Sequence, residues 1–382
     1  MFDFAIFGTG DIIMKKVLFL IPTLGHGGAE KVLVNLVNNM DKNKYKVTVM
    51  ALFNEGVNKQ FLNNDVEYKY VFKKIIRGNA QIFKLFSPQT LYKRFIKDRY
   101  DIVVSYLEGV TARIASGCTF ADTKLVSWIH VEQHTMDVVA KSFRSGEEAK
   151  RCYNRFDNTV CVSEYVLNDF KTVLEFKKPI EVLYNTNETN KIEILSMEES
   201  SVNKDDEYIN ICGMGTLKKV KGFDKLIRIH KKLLNEGIKQ RVYILGTGPE
   251  KQNLEKAIKE NQLQNTFILV GYETNPYKYL RDCDLFVCAS TAEGFSTAVT
   301  ESLLVGTPVV TTRCSGMEEQ LGYNNEYGIV TDNNENALYE GIKKILIEKG
   351  LLEHYKKQAK ERGKKFDKAV TVKAVEDMFE RI

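Results

Sequence analysis

A glycine-rich loop near the start of the chain has the composition of an anion-binding turn. The segment TLGHGGAE (23–30) follows the apolar run KVLFLI and precedes a helical pattern that begins near Ala29. Gly27 and Gly28 let the backbone approach a ligand closely, and the free N–H groups at a helix start attract an anion. A tight turn without a ligand has the same composition, so this loop alone leaves both interpretations open.

Lysines crowd a second loop, GMGTLKKVKGFDKLI (213–227), which also lies between an apolar run and a helical pattern. Lys218, Lys219 and Lys221 occupy the place where the carboxyl end of a strand meets a ligand in α/β folds, so we expect them to bind an anion. The alternative is a set of solvated surface lysines.

Two glutamates lie close to a helix start in a third loop, within LFVCASTAEGFSTAVTESLLVGTPVV (285–310). Glu293 lies in the loop, and Glu301 lies in the first turns of the helix that begins near Thr297. Carboxylates accept hydrogen bonds from hydroxyl groups, while a helix N-terminus faces a phosphate, so the loop suits a ligand that carries both groups. A glutamate pair at this spacing can also be purely structural.

The elements that must position these loops are short apolar runs, which alternate with helical patterns. The runs are KVLFLI, VTVMAL, DIVVSY, KLVSWIH, TVCVS and EVLY, and then INICGMG, RVYILG, TFILVG, LFVCAS, TPVVTT and YGIVT. Continuous apolar runs without polar alternation are typical of parallel strands that are buried on both faces. The sequence therefore predicts an α/β fold with two doubly wound, Rossmann-like domains.

The domain boundaries follow from where this alternation begins and breaks. Residues 1–14 lack such patterning and are interpreted as a loose extension, whose place in the mature protein the sequence leaves open. The first domain is predicted to span 15–187, the polar stretch 188–207 is interpreted as the linker region, and the second domain spans 208–366. Residues 367–382 are predicted to form a helix that crosses back to the first domain.

The composition is that of an ordinary globular protein of 382 residues. Its 43% of hydrophobic and 27% of charged residues exclude extended disorder. The net charge of +5 is too small to require a nucleic acid as partner, and no run of about 18 apolar residues predicts a membrane-spanning helix. Seven cysteines without a C-x-x-C spacing are typical of reduced, buried thiols, so we expect a cytoplasmic protein.

The third loop, together with LGTGPEKQNL and NPYKYLRDCDLFVCAS before it, closely resembles the C-terminal half of the retaining family 4 glycosyltransferases. GGAEKVL, the histidine that closes SWIH, and VCVSEYV extend the resemblance over about residues 15–375. It implies the two-Rossmann-domain GT-B architecture, in which an N-terminal acceptor-binding domain and a C-terminal nucleotide-sugar-binding domain face each other across a cleft. Within this family, the chain resembles the bacterial capsule and exopolysaccharide enzymes.

The resemblance also implies a role for each motif residue. Glu293, Lys221 and His130 would be catalytic, with Glu293 and His130 beside the donor sugar and Lys221 on the diphosphate. The donor-binding set would comprise Gly27, Gly28, Thr216, Lys221, Glu293, Gly294, Phe295, Ser296, Thr297 and Glu301, the last on the ribose. Thr216 departs from the family, which usually has arginine there, so a bidentate cation is lost and a neighbouring lysine would have to supply the charge.

By this resemblance, the chain would transfer a hexosyl or N-acetylhexosaminyl group from a nucleotide diphosphate donor, UDP-linked, to an acceptor hydroxyl with retention of configuration. The acceptor would be a lipid-linked glycan. We expect no metal ion and no cofactor, because the leaving phosphate oxygen takes the acceptor proton and lysines and helix N-termini stabilise the diphosphate. Two alternatives stay open: a nucleotide-sugar epimerase, and a non-catalytic partner subunit, which Thr216 favours.

Residues 73–99 form a strongly basic segment, with eight lysines and arginines against one aspartate and a net charge of +7. Apolar residues interleave with the cations; they are Phe83, Leu85, Phe86, Leu91, Tyr92, Phe95 and Ile96. The composition predicts a segment that docks on an anionic membrane surface, at the inner face of the cell membrane. The cations expected to face the lipid are Lys73, Lys74, Arg77, Lys93 and Arg94. The alternative is a helix that packs its aromatic residues on its own domain and leaves its cations in water.

Two further patterns are discounted. Asp282-Cys283-Asp284 spells the D-x-D metal signature of a different glycosyltransferase fold, but it precedes a strand and so lies at the end opposite to the three loops. FGTGDI (7–12) lacks the third glycine of the dinucleotide-binding fingerprint, which argues against an NAD enzyme.

Overall fold

The computed structural model describes residues 14–25, 27–75 and 78–382. The N-terminal domain is built on a parallel sheet, and its strands are β1 (Lys15–Ile21), β2 (Tyr45–Phe53), β3 (Glu67–Phe72), β4 (Ile102–Ser105), β5 (Lys124–Ile129), β6 (Asn158–Cys161) and β7 (Ile180–Val182). They lie in the order β3-β2-β1-β4-β5-β6-β7. The order reverses between β1 and β4, which is where a doubly wound sheet opens a ligand crevice.

The C-terminal domain repeats this design. Its strands are β8 (Ile209–Met214), β9 (Gln240–Leu245), β10 (Phe267–Gly271), β11 (Leu285–Cys288), β12 (Val309–Thr312) and β13 (Ile329–Thr331). They are parallel and lie in the order β10-β9-β8-β11-β12-β13. The two doubly wound Rossmann-like domains predicted from the sequence are confirmed.

Helices connect the strands on both faces of each sheet. Those up to the second domain are α1 (Gly28–Asn39), α2 (Asn79–Lys84), α3 (Pro88–Phe95), α4 (Val110–Ala115), α5 (Met136–Ala140), α6 (Gly146–Tyr153), α7 (Glu164–Leu174) and α8 (Thr189–Ser196). The later ones are α9 (Phe223–Asn235), α10 (Lys251–Glu260), α11 (Tyr277–Asp282), α12 (Thr297–Val305), α13 (Met317–Leu321), α14 (Glu335–Ile347), α15 (Leu351–Gly363) and α16 (Lys368–Arg381). Short 3₁₀ helices cover Asn58–Phe61, Lys219–Lys221 and Lys364–Phe366.

Strand β3 and helix α8 lie where the sequence analysis expected no regular structure. Strand β3 was not among the apolar runs, because it lies at the edge of the sheet and its side chains are all exposed or half-buried. Helix α8 lies inside the polar stretch interpreted as a linker, and it anchors there through the buried Ile192. The interpretation of residues 1–13 as an extension concerns residues outside the described part of the chain.

The last helix, α16, packs on the N-terminal domain. The Phe379 ring lies 6.2 Å from the Phe19 ring and 5.9 Å from the Tyr45 ring, measured between centroids. The Tyr45 hydroxyl donates to Glu380 Oε1 at 2.5 Å, and Arg381 forms an ion pair with Glu181 on β7 at 2.6 Å. The chain thus passes between the domains twice, near residue 187 and again before α16.

Among the described residues, no helix combines the length and the apolar character needed to cross a lipid bilayer. All seven cysteines are free thiols, and only Cys314 is partly exposed.

Candidate active site

The loops at the carboxyl ends of the two sheets meet across the cleft between the domains. Gly28 begins α1 and lies opposite Thr297, which begins α12: a Cβ on Gly28 would be 3.3 Å from the Thr297 Oγ1. Gly294 approaches the N-terminal domain more closely, since a Cβ there would lie 1.9 Å from the His130 carbonyl oxygen. Only glycine permits that contact. The N-termini of α1 and α12 and the loop that carries Glu293 therefore lie side by side where the two domains meet.

Glu293 forms an ion pair inside the C-terminal domain. Its Oε1 lies 2.6 Å from the Lys221 Nζ and accepts a further hydrogen bond from the Ser290 Oγ at 2.6 Å. Gly222 has a φ of 66°, and a Cβ on it would lie 2.2 Å from the Ala289 carbonyl oxygen, so glycine is needed to bring Lys221 against this strand end. Burial lowers the pKa of Lys221, but Glu293 more than offsets that effect and the net pKa is raised. The ammonium group is therefore charged at neutral pH.

Glu301 is paired across the cleft. It is 2% exposed on α12, and its Oε1 accepts a hydrogen bond from the Lys31 Nζ of α1 at 2.5 Å. The Tyr277 hydroxyl donates to the same oxygen at 3.4 Å, and the Lys31 Nζ lies 5.3 Å above the Tyr277 ring. Burial lowers the pKa of Lys31, and the Glu301 carboxylate raises it by more, so the net pKa is raised. Because a helix dipole disfavours a cation near its N-terminus, Glu301 is what makes this position of Lys31 favourable.

His130 lies at the end of β5, on the floor of the cleft, and is 7% exposed. Its backbone N–H donates to Glu108 Oε2 at 3.1 Å, and its carbonyl faces Gly294. Burial lowers the pKa of His130 to about 3 and raises the pKa of Glu108. The imidazole is therefore neutral at physiological pH: it can hydrogen-bond to a hydroxyl group, but it adds no positive charge against a diphosphate.

The remaining residues of the expected donor-binding set differ in what they offer. Gly27 is exposed at the start of α1, and the Glu30 carboxylate folds over it, so an anionic group already lies at this helix N-terminus. The Phe295 ring is buried and stacks on the Tyr184 ring with 5.0 Å between centroids, so Phe295 can reach a ligand only through its backbone. The Ser296 hydroxyl caps α12, and its N–H is already bonded to a glutamine side chain. Thr216 is exposed after β8.

Comparison with known proteins identifies the family. The model described as Glycosyltransferase Family 4 matches residues 26–191, and the model described as Glycosyl transferases group 1 matches residues 197–362. An uncharacterized glycosyltransferase of Methanocaldococcus jannaschii is 30% identical over 77% of this chain and 80% of its own length. The chain belongs to glycosyltransferase family 4.

Relatives of this family 4 glycosyltransferase include enzymes of bacterial surface-glycan synthesis. The N-acetylgalactosamine-N,N'-diacetylbacillosaminyl-diphospho-undecaprenol 4-alpha-N-acetylgalactosaminyltransferase of Campylobacter jejuni is 28% identical over 93% of this chain and 96% of its own length. The amylovoran biosynthesis glycosyltransferase of Erwinia amylovora is 23% identical over 85% of this chain and 88% of its own. The crystal structure of Anabaena HepE in complex with UDP superposes with a TM-score of 0.75 at 17% identity, covering 96% of this chain and all of that one. The last comparison shows the GT-B fold.

Sequence reasoning about this glycosyltransferase missed the two groups that hold Glu301. Lys31 follows the GGAE motif directly, and a cation at the start of a helix was the signal that could have singled it out. Tyr277 lies in NPYKYL, where nothing marks one aromatic residue over another.

The basic segment 73–99 divides into a packed part and an exposed part. The side chains of Phe83, Leu91, Tyr92 and Ile96 are buried in the core, which agrees with the alternative of self-packing aromatics. Leu85 and Phe86 remain exposed at 76% and 46%. Two further aliphatic residues that the sequence did not single out, Ile75 and Ile82, are exposed as well; the values are 53% and 42%.

The predicted lipid-facing cations are exposed wherever the structure describes them. Those cations are Lys73, Lys74, Lys93 and Arg94. Arg77 lies outside the described residues. The exposed Leu85–Phe86 tip is held firmly, because Arg113 donates to the carbonyls of Phe83 and Phe86 at 2.9 and 2.8 Å, and Arg144 donates to the carbonyls of Lys84 and Leu85 at 2.6 and 3.0 Å.

The D-x-D acids have structural partners at the amino end of the C-terminal sheet. Asp284 Oδ2 accepts the backbone N–H of Asn210, and Asp282 pairs with Arg281 and Lys204. Elsewhere in the described chain, Glu132, His134 and Asp169 lie close enough to share an ion, but both Asp169 oxygens accept backbone N–H groups of the 133–134 turn.

Proposed function

We propose that this family 4 glycosyltransferase moves a hexosyl or N-acetylhexosaminyl group from a UDP-sugar to a lipid-linked glycan, with retention of configuration. The observation that carries the proposal is a pair of lysine–glutamate contacts at the cleft: Lys221–Glu293 within the C-terminal domain and Lys31–Glu301 between helices α1 and α12 of the two domains. The UDP in the structural neighbour and the undecaprenol-linked substrate in the name of the Campylobacter relative support the choice of donor and acceptor.

We assign each group the task in this reaction that the family resemblance implies for it. Glu301 binds the ribose hydroxyls, and Glu293 binds hydroxyls of the sugar that is transferred. Lys221 and the N-terminus of α12 stabilise the charge that grows on the leaving diphosphate; one such interaction is typically worth about 3–4 kcal/mol in the transition state. The leaving phosphate oxygen takes the proton of the acceptor hydroxyl, so the reaction needs no protein base.

The experiment is a donor screen with the purified full chain. We expect slow hydrolysis of at least one UDP-sugar without acceptor, and faster consumption when a polyprenyl-diphosphate glycan is added. Mass analysis of the product separates transfer from the epimerase alternative, because an epimerase changes the sugar and leaves the nucleotide sugar intact. If UDP does not bind and no nucleotide sugar is consumed, the chain is a non-catalytic subunit and the proposal is wrong.

A second part of the proposal concerns where the enzyme works. The exposed apolar residues Ile75, Ile82, Leu85 and Phe86 lie in the segment of net charge +7, and this combination matches an anionic lipid surface. Each cation close to such a surface contributes about 1 kcal/mol at moderate ionic strength. Docking would bring the cleft to the lipid-linked acceptor without a membrane-spanning helix.

Cosedimentation with phosphatidylglycerol vesicles tests this docking. We expect the wild type to sediment at low salt and the variant with Lys73, Lys74, Lys93 and Arg94 changed to Gln to stay in solution. A matched control changes four exposed lysines of the C-terminal domain, Lys256, Lys259, Lys357 and Lys364, to Gln and should sediment like the wild type. Equal binding of the two variants would show that total charge, and not this segment, decides docking.

A further inference from the structure

A cavity of about 250 Å³ lies between the two domains, beside the loop that carries Glu293. Its wall consists of Glu132, His134 and Tyr165 of the N-terminal domain and of residues 291–292 and 313–315 of the C-terminal domain. Ala292 is bonded to Glu293, and consecutive Cα atoms are about 3.8 Å apart, so an occupant of the cavity lies next to the residue that we assign to the transferred sugar. The residues assigned above to the donor do not line this cavity.

The wall from the N-terminal domain is held in place by the rest of the protein. The backbone N–H groups of Gln133 and His134 donate to the Asp169 carboxylate of α7 at 2.5 and 3.1 Å. His134 has a φ of 60°, which side chains other than glycine rarely adopt, so these contacts are needed to fix the turn. The Ser315 hydroxyl donates to Glu132 Oε2 across the domain boundary. The cavity is therefore shaped before a ligand arrives.

The side chains of the wall suit a ligand with several hydroxyl groups. Ser315 engages one oxygen of the half-buried Glu132, and a carboxylate can accept several more hydrogen bonds. The hydroxyl of Thr291, the guanidinium of Arg313 and the imidazole of His134 add further polar groups around the same space. Hydrogen bonds from a hydroxyl group to a charged side chain are stronger than those between neutral groups.

The charges of the wall disfavour an anion. Among the described residues that line the cavity, Arg313 is the only lysine or arginine. It pairs with Glu318, which also accepts the Tyr165 hydroxyl, and its Nε lies 3.7 Å from Asp332 Oδ1. A phosphate or carboxylate in the cavity would meet the Glu132 carboxylate and find no unpaired lysine or arginine, which costs free energy where water is partly excluded.

We propose that this cavity binds the sugar unit of the acceptor glycan that receives the transferred group, as an uncharged hexose or N-acetylhexosamine, and that Glu132 accepts hydrogen bonds from its hydroxyl groups. The proposal rests on the function proposed above and names the acceptor subsite of that reaction. Because both domains form the wall, an acceptor sugar in the cavity also stabilises the closed arrangement of the domains.

The first experiment uses the UDP-sugar and the polyprenyl-diphosphate glycan that the wild type consumes in the donor screen. Glu132→Gln keeps the shape of the side chain and removes its charge, so it should raise the KM for the acceptor by about 10-fold, the effect of one hydrogen bond to a charged group. The Kd for UDP alone should stay unchanged. The matched control is Glu147→Gln, which alters an exposed carboxylate of α6 outside the cavity and should change neither quantity.

A second variant tests whether Glu132 only joins the domains. Ser315→Ala removes the hydrogen bond between the domains but keeps the Glu132 carboxylate. We expect a smaller rise of the acceptor KM than for Glu132→Gln. Equal rises in the two variants would show that both residues act only through the contact between the domains, and the subsite would be wrong.

The second experiment measures occupancy of the cavity directly. Cys314 lies in its wall and is partly exposed, whereas the other six cysteines are buried. Burial raises the pKa of the Cys314 thiol to about 11, so methyl methanethiosulfonate should label it slowly, at a rate that peptide mass spectrometry can follow. The full-length wild type is labelled alone, with the glycan released from its lipid, and with undecaprenyl phosphate that carries no sugar.

The lipid-free glycan should protect Cys314. At about ten times its Kd it should slow labelling about tenfold, because only about a tenth of the protein is then free. Undecaprenyl phosphate should leave the rate unchanged, because the cavity disfavours an anion. Absence of protection by the glycan, or equal protection by undecaprenyl phosphate, would overturn the proposal.

The results separate the possible failures. If the wild type consumes a UDP-sugar, but Glu132→Gln behaves like the wild type and the glycan does not protect Cys314, only the acceptor subsite is wrong. If the wild type neither binds UDP nor consumes a nucleotide sugar, the proposed function fails, and the subsite fails with it.

Discussion

The two glutamates of the cleft are held in different ways. Glu293 pairs with Lys221 of its own domain, and Ser290 adds a hydrogen bond, so this contact does not depend on the position of the other domain. Glu301 pairs with Lys31 of the opposite domain. When the domains separate, the first pair persists, whereas the second loses its cation and leaves a buried carboxylate with Tyr277.

This difference suggests a division of labour. A pair inside one domain is pre-organised and suits the group on which the chemistry depends, because its geometry is set before the donor arrives. A pair across the cleft forms only when the two domains are close together. It also places the Lys31 ammonium group on the carboxylate that the ribose hydroxyls would bind. If Glu301 binds the ribose, as we propose, it couples donor binding to domain closure.

The largest expected effect comes from breaking the pair inside the domain. Lys221→Ala should lower kcat/KM for the best donor by about 100-fold or more, because the positive charge that stabilises the leaving diphosphate is removed. Steady-state kinetics measure this. Lys219→Ala removes an exposed lysine of the same 3₁₀ helix that the sequence also marked as an anion ligand, so it tests whether the position of the charge matters; because Lys219 is exposed, this variant should stay within about twofold of wild type. Equal losses in the two variants would mean that the loop acts only through its total charge.

A smaller effect should separate the two glutamates. Glu301→Gln should mainly raise the KM for the donor, by about 10-fold, since one hydrogen-bond acceptor for the ribose becomes weaker. Glu293→Gln keeps the same shape and should instead lower kcat at saturating donor. Kinetics over a full range of donor concentrations check the split. If both substitutions change only KM, the two glutamates do not have the different roles that we assign to them.

The smallest effect concerns closure. Lys31→Met should lower the free energy of unfolding by about 1–2 kcal/mol, less than for a fully buried pair because the lysine side chain is 37% exposed. It should also increase the radius of gyration of the donor-free protein in small-angle X-ray scattering. Lys31→Arg, which keeps the positive charge, should have the stability and the radius of gyration of the wild type. Lys42→Met, which breaks an exposed pair with Asp65 within one domain, should change stability by less than about 0.5 kcal/mol and leave the radius unchanged.

The pH dependence of closure follows from the direction of the Lys31 shift. Its pKa is raised in the folded protein, so the pair contributes its full stability below the pKa of an exposed lysine, about 10.4, and loses it only as the pH rises beyond that value. The radius of gyration of the wild type should therefore be constant between about pH 6 and pH 9. Opening of the protein within that range would show that another group controls the cleft.

Prediction from the sequence worked where one physical signal dominates. Strands such as β1 and β11 are buried on both faces, and continuous apolar runs revealed them. Strand β3 was missed because an edge strand with the sequence EYKYVF mixes charged and aromatic residues. Composition also could not tell that Phe83 points into the core while Phe86, three residues later, is exposed.

The residues of the candidate site also differ in whether the sequence could reveal them. Local motifs marked Glu293, Glu301 and Lys221, because each lies in or just after a loop whose glycines and helix start carry a recognisable pattern. The contact between Lys31 and Glu301 joins residues on different domains, and no local pattern contains it. The cavity beside Glu132 is also a property of the folded protein, since residues far apart in the sequence form its wall.

Helix α16 has a consequence for biosynthesis. The Phe379 ring covers Phe19 and Tyr45, so the N-terminal domain receives part of its hydrophobic covering from a segment that is translated only after both sheets. A nascent chain that has completed both sheets still exposes these rings. Until α16 arrives, this apolar surface of the first domain stays exposed to solvent, and such surface favours aggregation, although all the strands of the domain have been made.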